Sequence, residues 1–276
     1  MINNILDMFS YSFIIRALIV GILISISSSL IGTSLVLRRN SMIGDGLSHV
    51  AFLSFAVSTV FGFAPVEFSL IVVVIISFLI LRLNDNKVIH NDSSIALISS
   101  SSLALGTFLI STFKGVNQDL NSYLFGSILS VSEKDVILSI ILTIFVVAIF
   151  ILSYNKIFAI TFDETFAKSV GINTNFYNML FSVLCSVTIV IGMRLLGSLL
   201  ISSLLIFPSL SMMLYFKTFK KVVIGSVITS FITFIIGFIL SYFLESPTGS
   251  TIVLINLVIF LLFYMLSYIK EVRVKC

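Results

Sequence analysis

Long apolar stretches, separated by short polar or charged segments, run along nearly the whole chain. A stretch of about 18 or more apolar residues is long enough to cross a bilayer as a helix. The pattern predicts nine such helices, at residues 13–37, 43–63, 66–82, 93–112, 135–153, 175–192, 195–216, 222–243 and 250–268. We therefore predict an all-α fold, a polytopic membrane bundle of about eight or nine crossings, in a single domain over residues 1–276.

Three segments add detail to this pattern. The connection "FAP" between the second and third predicted helices is so short that it predicts a tight hairpin. The stretch 93–112 is rich in Ser, Ala and Gly; small residues let helices approach closely, so we predict that this helix is buried among the others. The apolar stretch 120–131 is too short to cross, and it either lies at the interface or dips in and returns.

Composition supports a membrane protein surrounded by lipid. Hydrophobic residues make up 58% of the 276 residues, and charged residues only 10%, against about a quarter in soluble domains. No basic stripe or basic–aromatic interleaving points to a nucleic-acid partner. Lys and Arg are enriched in cytoplasmic loops of membrane proteins. If the loop 154–174 is cytoplasmic, twelve of these residues lie on that side and four outside, namely Arg16, Lys114, Lys134 and Arg194.

An aspartate and a histidine interrupt the second predicted helix, in the stretch "MIGDGLSHVAFLSFAV". Asp45 and His49 are four residues apart, so they share one helix face. Ionisable groups inside a span often mark ion pathways, and carboxylate and imidazole both bind first-row divalent metals. Gly44 and Gly46 permit close approach of another helix or of an ion.

Two readings of this pair remain open. One is a structural hydrogen bond, between Asp45 and His49 or from either residue to a neighbouring helix. The other is an incomplete metal site, whose remaining ligands come from water, another helix or a second copy of the chain.

The cytoplasmic loop contains the segment "TFDETFAKSVG", which predicts a short amphipathic helix. Thr161 or Asp163 is expected to cap its start and Gly171 to end it. Its apolar stripe consists of Phe162, Phe166 and Val170. Such a helix either lies on the membrane surface or docks into a groove of a cytosolic partner.

Several enzyme classes lack their motifs here. The dipeptide Gly-Lys never occurs, so the chain has no Walker A motif for binding ATP, and no His-Glu pair exists for a zinc protease. We expect a transport subunit and not an enzyme. A secondary cation transporter remains an alternative, although few intramembrane acids besides Asp45 are available to bind a coupling ion.

Five segments in order resemble the ABC-3 family, the permease subunits of bacterial zinc- and manganese-uptake ABC transporters. They are residues 13–52 with "GDGLSH", the segment "DLNSYLFGSILSVS", "FDETFAKSVGI", "MRLLGSLLISSLLIFPSLSMML" and "LESPTGSTIVLIN". The resemblance covers nearly the whole chain, and its "GDGLSH" matches the family pattern Gly-Asp-x-x-x-His.

The resemblance implies a multi-pass protein of the bacterial cytoplasmic membrane that works as a homodimer. Its partners would be two cytosolic ATP-binding subunits, where ATP is hydrolysed, and an extracellular metal-binding protein. It also implies that Asp45 and His49 line the metal path, with Zn²⁺ favoured over Mn²⁺ as cargo and no permanently bound cofactor. The short cytoplasmic coupling helix would present Phe162, Asp163, Glu164, Phe166, Ala167 and Gly171 to the ATPase. The alternative within ABC importers is a permease for an iron chelate or cobalamin.

Overall fold

A computed structural model describes residues 10–83, 91–113, 126 and 131–275. These residues form eleven helices, nine long and two short. In chain order they are α1 (Ser12–Leu37), α2 (Met42–Phe61), α3 (Pro65–Leu83), α4 (Asn91–Thr112), α5 (Glu133–Leu152), α6 (Tyr154–Phe162), α7 (Glu164–Ser169), α8 (Thr174–Leu196), α9 (Ser198–Tyr215), α10 (Phe219–Phe243) and α11 (Thr248–Lys275).

The nine long helices coincide with the nine predicted stretches, which confirms the all-α membrane bundle. Eight of the described helices are long and apolar enough to cross a membrane, while α3 carries a shorter apolar part, Pro65–Ile80. Helix α3, the third predicted crossing, therefore has a shorter apolar part than the other eight long helices described. The described part of the chain is consistent with the predicted eight or nine crossings.

Helices α1, α2, α8 and α9 form the centre of the bundle, and most of each lies inside it. A side chain at Gly32 of α1 would overlap the backbone carbonyl of Leu205 of α9, so these two helices touch backbone to backbone. Hydroxyl groups join the helices elsewhere: Ser230 of α10 donates a hydrogen bond to the carbonyl oxygen of Ser25 at 3.1 Å. Small and hydroxyl residues thus allow the close packing that membrane helices use.

The hairpin between α2 and α3 is confirmed. Gly62 ends α2 in the left-handed region, with φ of 73°, a conformation that glycine adopts without steric cost. The amide of Phe63 then donates to the carbonyl oxygen of Ser58 at 2.9 Å. Helix α3 begins only three residues later, at Pro65, because proline is well suited to a first helical turn.

The prediction that the helix over 93–112 is buried among the others is wrong for the single chain. Only 17% of Ser93–Thr112 is buried. Helix α4 packs chiefly against α2, where Gly106 lies against Phe52. Its other faces expose apolar side chains such as Leu97 and Phe108. Small residues therefore bring α4 close to α2, but other helices do not surround it.

The prediction for the apolar stretch 120–131 lies almost entirely outside the described residues. Two of its residues are described. The backbone of Gly126 packs so tightly on the α8–α9 junction that a side chain there would overlap Leu196 and Gly197. Val131 is buried.

Candidate functional site

The turn between α1 and α2 places Asp45 in the first turn of α2. Arg39 takes the left-handed conformation, with φ of 59°. The amide of Asn40 donates to the carbonyl oxygen of Leu35 at 2.9 Å, and the Asn40 carbonyl accepts from Ile43 at 3.1 Å. A carboxylate in the first turn is favoured by the positive end of the helix dipole. Local backbone geometry therefore fixes where the carboxylate of Asp45 lies.

Asp45 and His49 face each other, as their spacing predicted. The Nε2 atom of His49 lies 3.7 Å from Oδ2 of Asp45. The side chain of Asp45 is 41% exposed and that of His49 is 16% exposed. A separation of 3.7 Å exceeds the range of a hydrogen bond, so the two groups are neighbours without being bonded to each other.

The remaining polar atoms of the pair are poorly partnered. Oδ1 of Asp45 lies 3.4 Å from the hydroxyl of Ser202 in α9. The same hydroxyl is 3.0 Å from the carbonyl oxygen of Ser198, and its single proton favours that shorter bond. Nδ1 of His49 is buried and has no hydrogen-bond partner among the described residues. Asp45 and His49 are thus not bonded to each other, and the contact of Asp45 with Ser202 is a long hydrogen bond to a neighbouring helix.

Two glycines bring neighbouring helices close to the pair. A Cβ on Gly44 would lie 2.7 Å from Cδ1 of Leu205, and one on Gly46 would lie 2.7 Å from Cγ2 of Ile95. Helices α9 and α4 thus press against either side of Asp45. The predicted close approach is that of other helices, and Ser202 is a neighbour that the sequence did not reveal.

One chain alone brings too few possible ligands together for a closed metal site. Among the residues that the structure describes, no group of three His, Cys, Asp or Glu side chains comes together. Asp45 and His49 could provide two ligands, and structural zinc sites use four. An ion at this position needs further ligands from water or from another chain.

The segment that we predict to be cytoplasmic forms two helices, α6 and α7, where the sequence predicted one. The chain is extended at Asp163, with φ of −153° and ψ of 99°, and this break separates α6 from α7. Oδ1 of Asp163 accepts the amide of Phe166 at 2.9 Å, so Asp163 is the cap and Thr161 is not. Gly171, with φ of 85°, follows the end of α7.

The apolar stripe of this segment is exposed, whereas Ala167, which follows Phe166 in the chain, is not. Phe162 and Phe166 are each 59% exposed, and Val170 is exposed as well. Ala167, by contrast, is fully buried. The break at Asp163 places Phe162 in α6 and the other two residues beyond it. The stripe is thus available for contact outside this chain.

Polar contacts connect this segment to the end of α1. Nη1 of Arg38 donates to Oδ1 of Asn178 at 3.0 Å, and Nε of Arg38 lies 3.4 Å from the hydroxyl of Thr161. The side-chain amide of Asn178 donates a hydrogen bond to Oε1 of Glu164 at 3.4 Å. Glu164 also pairs with Lys168 at 3.0 Å.

The guanidinium of Arg38 lies in a largely enclosed position, 5.0 Å from the centre of the Phe181 ring. Burial lowers the pKa of Arg38 from its ordinary value, but arginine stays protonated in proteins. A fixed positive charge therefore joins α1, α6 and α8. Nothing in the sequence distinguishes Arg38 in this role, because Arg38 and Arg39 are both basic residues at a helix end.

Comparison with known proteins adds to this geometry. The model of the family described as the ABC 3 transport family matches residues 10–267. The chain belongs to this family. The match confirms the family that the sequence motifs indicated, and with it a multi-pass membrane permease.

Relatives in the ABC 3 family include permeases named for different metals. The chain is 31% identical over 261 residues to the manganese import system permease protein ScaB of Streptococcus gordonii, covering 93% of this chain and 92% of that one. It is 30% identical over 235 residues to the high-affinity zinc uptake system membrane protein ZnuB of Buchnera aphidicola, covering 85% and 90%.

A solved structure shares this ABC 3 architecture. It is PsaBC from Streptococcus pneumoniae in complex with Fab, which superposes with a TM-score of 0.85 at 29% identity. The match covers 96% of this chain and 95% of that one. The similarity therefore extends over the whole bundle, and both Asp45 and the cytoplasmic segment lie inside the matched family region.

Proposed function

We propose that the chain is the membrane permease of an ATP-driven importer and that it passes Mn²⁺ or Zn²⁺ along Asp45 and His49. The observation that carries this proposal is the pair itself. A carboxylate and an imidazole lie 3.7 Å apart on one helix face, and Nδ1 of His49 has no hydrogen-bond partner among the described residues. Oδ2 of Asp45 and Nε2 of His49 are not hydrogen-bonded to each other, so both atoms are available to an ion or to its water.

A second copy of the chain would complete the path. Each chain offers two ligands, so two copies offer four, including two carboxylates that offset the charge of a divalent ion in a low-dielectric region. Helix α4, which packs beside α2, exposes hydroxyl residues such as Ser100 and Ser101. Both hydroxyls donate to carbonyl oxygens of their own helix. This polar but satisfied surface suits a helix that lines a wet passage between two copies.

The cargo is proposed as manganese or zinc. The sequence prediction favours zinc because imidazole is a softer ligand than carboxylate. Relatives named for manganese and for zinc are both similar over most of this chain, and a mixed carboxylate–imidazole site accepts either ion. The zinc preference therefore stays a prediction, for which uptake of both ions in parallel is the measurement.

The energy source is proposed to be a pair of separate cytosolic ATPase subunits that bind the cytoplasmic segment. The chain has no Walker A motif, and the exposed side chains of Phe162 and Phe166 are suited to a groove in a partner. Asp163 would cap the start of α7, and Gly171 would end it. Ala167 would pack α7 against the bundle, and Glu164 would accept a hydrogen bond from Asn178. An extracellular binding protein is proposed to deliver the ion to the outer side.

Uptake of radioactive zinc and manganese tests the metal path. Cells that carry the importer with Asp45→Asn or His49→Ala should take up each ion at least about tenfold more slowly. Replacing even a residue that only hydrogen-bonds to a metal ligand lowers metal affinity by about 10- to 100-fold. Ser202→Ala is the matched control, because the Ser202 hydroxyl favours its own helix. Normal uptake by both variants, with the complex assembled, would remove the pair from the path.

Co-purification tests the coupling segment. Phe166→Asp places a charge in the exposed stripe and should abolish association with the ATPase subunit. Leu244→Asp is the control, because Leu244 is as exposed as Phe166. It directly follows the last residue of α10, at the opposite end of that helix from Phe219. If Phe166→Asp leaves the yield of co-purified ATPase unchanged, the segment is only a surface helix.

A further inference from the structure

An apolar groove of about 530 Å³ opens on the surface of the bundle between α5 and α10. Leu30 of α1 contributes to its lining, with Ile151 from α5 and Ile224 and Ile228 from α10. These three isoleucines are all exposed in the single chain. The groove therefore lies among membrane-spanning helices and accepts an apolar occupant from outside the chain.

Polar groups gather where the groove meets α6 and the start of α10. Tyr154 and Asn155 of α6 line it there, together with Lys220 in the first turn of α10. Lys217 and Lys221 are close neighbours of Lys220 in the chain, and all three lysines are exposed. No acidic side chain lines the groove in the described part of the chain. The groove is thus apolar along its length and positive at one end.

The groove is separate from the proposed metal path. Gly32 of α1 packs directly on the backbone of Leu205 in α9, and Leu205 in turn touches Gly44 beside Asp45. Helices α1 and α9 therefore stand between Leu30 in the groove and the carboxylate of Asp45. An occupant of the groove would not compete with a metal ion.

We propose that this groove is a binding site for an anionic phospholipid, with an acyl chain along α5 and α10 and the phosphate at Lys220. The shape and charge of the groove match the two parts of such a molecule. Basic pockets between membrane helices on the cytoplasmic side bind anionic headgroups, and the predicted orientation places Lys220 on that side. Tyr154 and Asn155 supply hydrogen-bond donors next to the ammonium group.

The site adjoins the coupling segment through a row of tilted and edge-on aromatic rings. Phe150 and Tyr154 line the groove. The ring of Tyr154 lies 5.4 Å from that of Phe219, and Phe219 lies 6.1 Å from Phe162 of α6. A lipid in the groove therefore packs against the same aromatic cluster that holds the start of the coupling segment.

Quenching of a single tryptophan by brominated lipids tests the site. The chain contains no Trp, so Ile151→Trp places one reporter in the groove of the purified full-length chain in vesicles. Leu152→Trp is the control, because Leu152 is also exposed at the same depth but does not line the groove. Brominated phosphatidylglycerol and brominated phosphatidylcholine are compared at equal mole fractions.

We expect phosphatidylglycerol to quench the Ile151→Trp reporter at about fivefold lower mole fraction than phosphatidylcholine, the preference that one lysine gives an anionic lipid. The Leu152→Trp reporter should respond equally to both lipids. Adding Lys220→Gln should remove the preference at position 151, and adding Lys221→Gln should leave most of it. Ile228→Trp is a second reporter, on the opposite wall, if Ile151→Trp does not fold.

Three results would overturn the proposal. Equal quenching by both lipids in the groove would show ordinary contact with the bilayer only. A preference for phosphatidylglycerol that survives Lys220→Gln would exclude the proposed headgroup contact. Absence of quenching by either lipid would show that protein, such as a second copy of the chain, covers the groove.

Discussion

The guanidinium of Arg38 donates a hydrogen bond to Oδ1 of Asn178, 140 residues away in the chain, at 3.0 Å. Asn178 in turn donates to Glu164 in the cytoplasmic segment. Arg38 directly follows α1 and stands seven residues before Asp45. The same short turn therefore joins the proposed metal ligand to the proposed ATPase-binding helix.

Arg38→Gln should uncouple transport from ATP hydrolysis. It removes the charge that joins α1, α6 and α8, and residues in such a link change coupling by about 0.5–2 kcal/mol. In the reconstituted complex we expect metal uptake per ATP hydrolysed to fall several-fold while the complex still assembles. Arg38→Lys should be intermediate, since lysine keeps the charge but not the planar fork of donors.

Arg39→Gln is the matched control for this variant, because Arg39 is the exposed neighbouring residue. It should leave the ratio of uptake to hydrolysis unchanged. An unaltered ratio for Arg38→Gln would show that the network only stabilises the fold.

Gly32→Ala should destabilise the bundle more than Gly44→Ala does. At Gly32 the added methyl group meets the backbone carbonyl of Leu205, whereas at Gly44 it meets only the flexible end of the same leucine, at 2.7 Å. Overpacking costs about 1–3 kcal/mol, and a rigid backbone places Gly32→Ala at the upper end. Unfolding by SDS in mixed micelles measures both variants, and equal stability would contradict the prediction.

Asp135→Ala should lower the stability of the α5 start by about 1–2 kcal/mol, because it removes half of the capping box with Ser132 and the partner of Arg194. Its carboxylate is only 8% exposed and lies 3.5 Å from Arg194. It also accepts the amide of Ser132 at 3.0 Å, within a capping box. The measurement is again unfolding in SDS.

Glu133→Gln provides the comparison for Asp135→Ala. Glu133 is 87% exposed and lies 3.9 Å from Arg16. Exposed ion pairs contribute little to stability because water and salt screen them. We expect no measurable change, and a loss as large as that of Asp135→Ala would show that an exposed ion pair stabilises this end as much as the buried carboxylate of Asp135 does.

Ser202→Ala should leave metal binding nearly unchanged, although Ser202 contacts Asp45 from another helix. Its hydroxyl favours the carbonyl oxygen of Ser198, so it contributes little to the carboxylate. Titration of the purified complex with Mn²⁺ and Zn²⁺ should give affinities within about twofold of the unchanged protein, well below the effect of changing a ligand or its support. A tenfold loss would make Ser202 a ligand.

Features that depend on nearby residues were predictable from the sequence. All nine long helices lie within four residues of the predicted stretches at their starts, because apolar length alone decides them. The shared face of Asp45 and His49 follows from helical spacing. The cap at Asp163 and the end near Gly171 follow from the backbone preferences of those residue types.

Features that depend on distant residues required the tertiary structure. Ser202 reaches Asp45 across 157 positions, and Arg38 reaches Asn178 across 140. The sequence wrongly predicted that α4 is buried. Small residues determine how closely two helices approach, and they do not determine how many helices surround them. The sequence by itself determined which segments are helices and which side chains share a face. Only packing decided which faces meet, because contacts between helices depend on shape complementarity across the whole bundle.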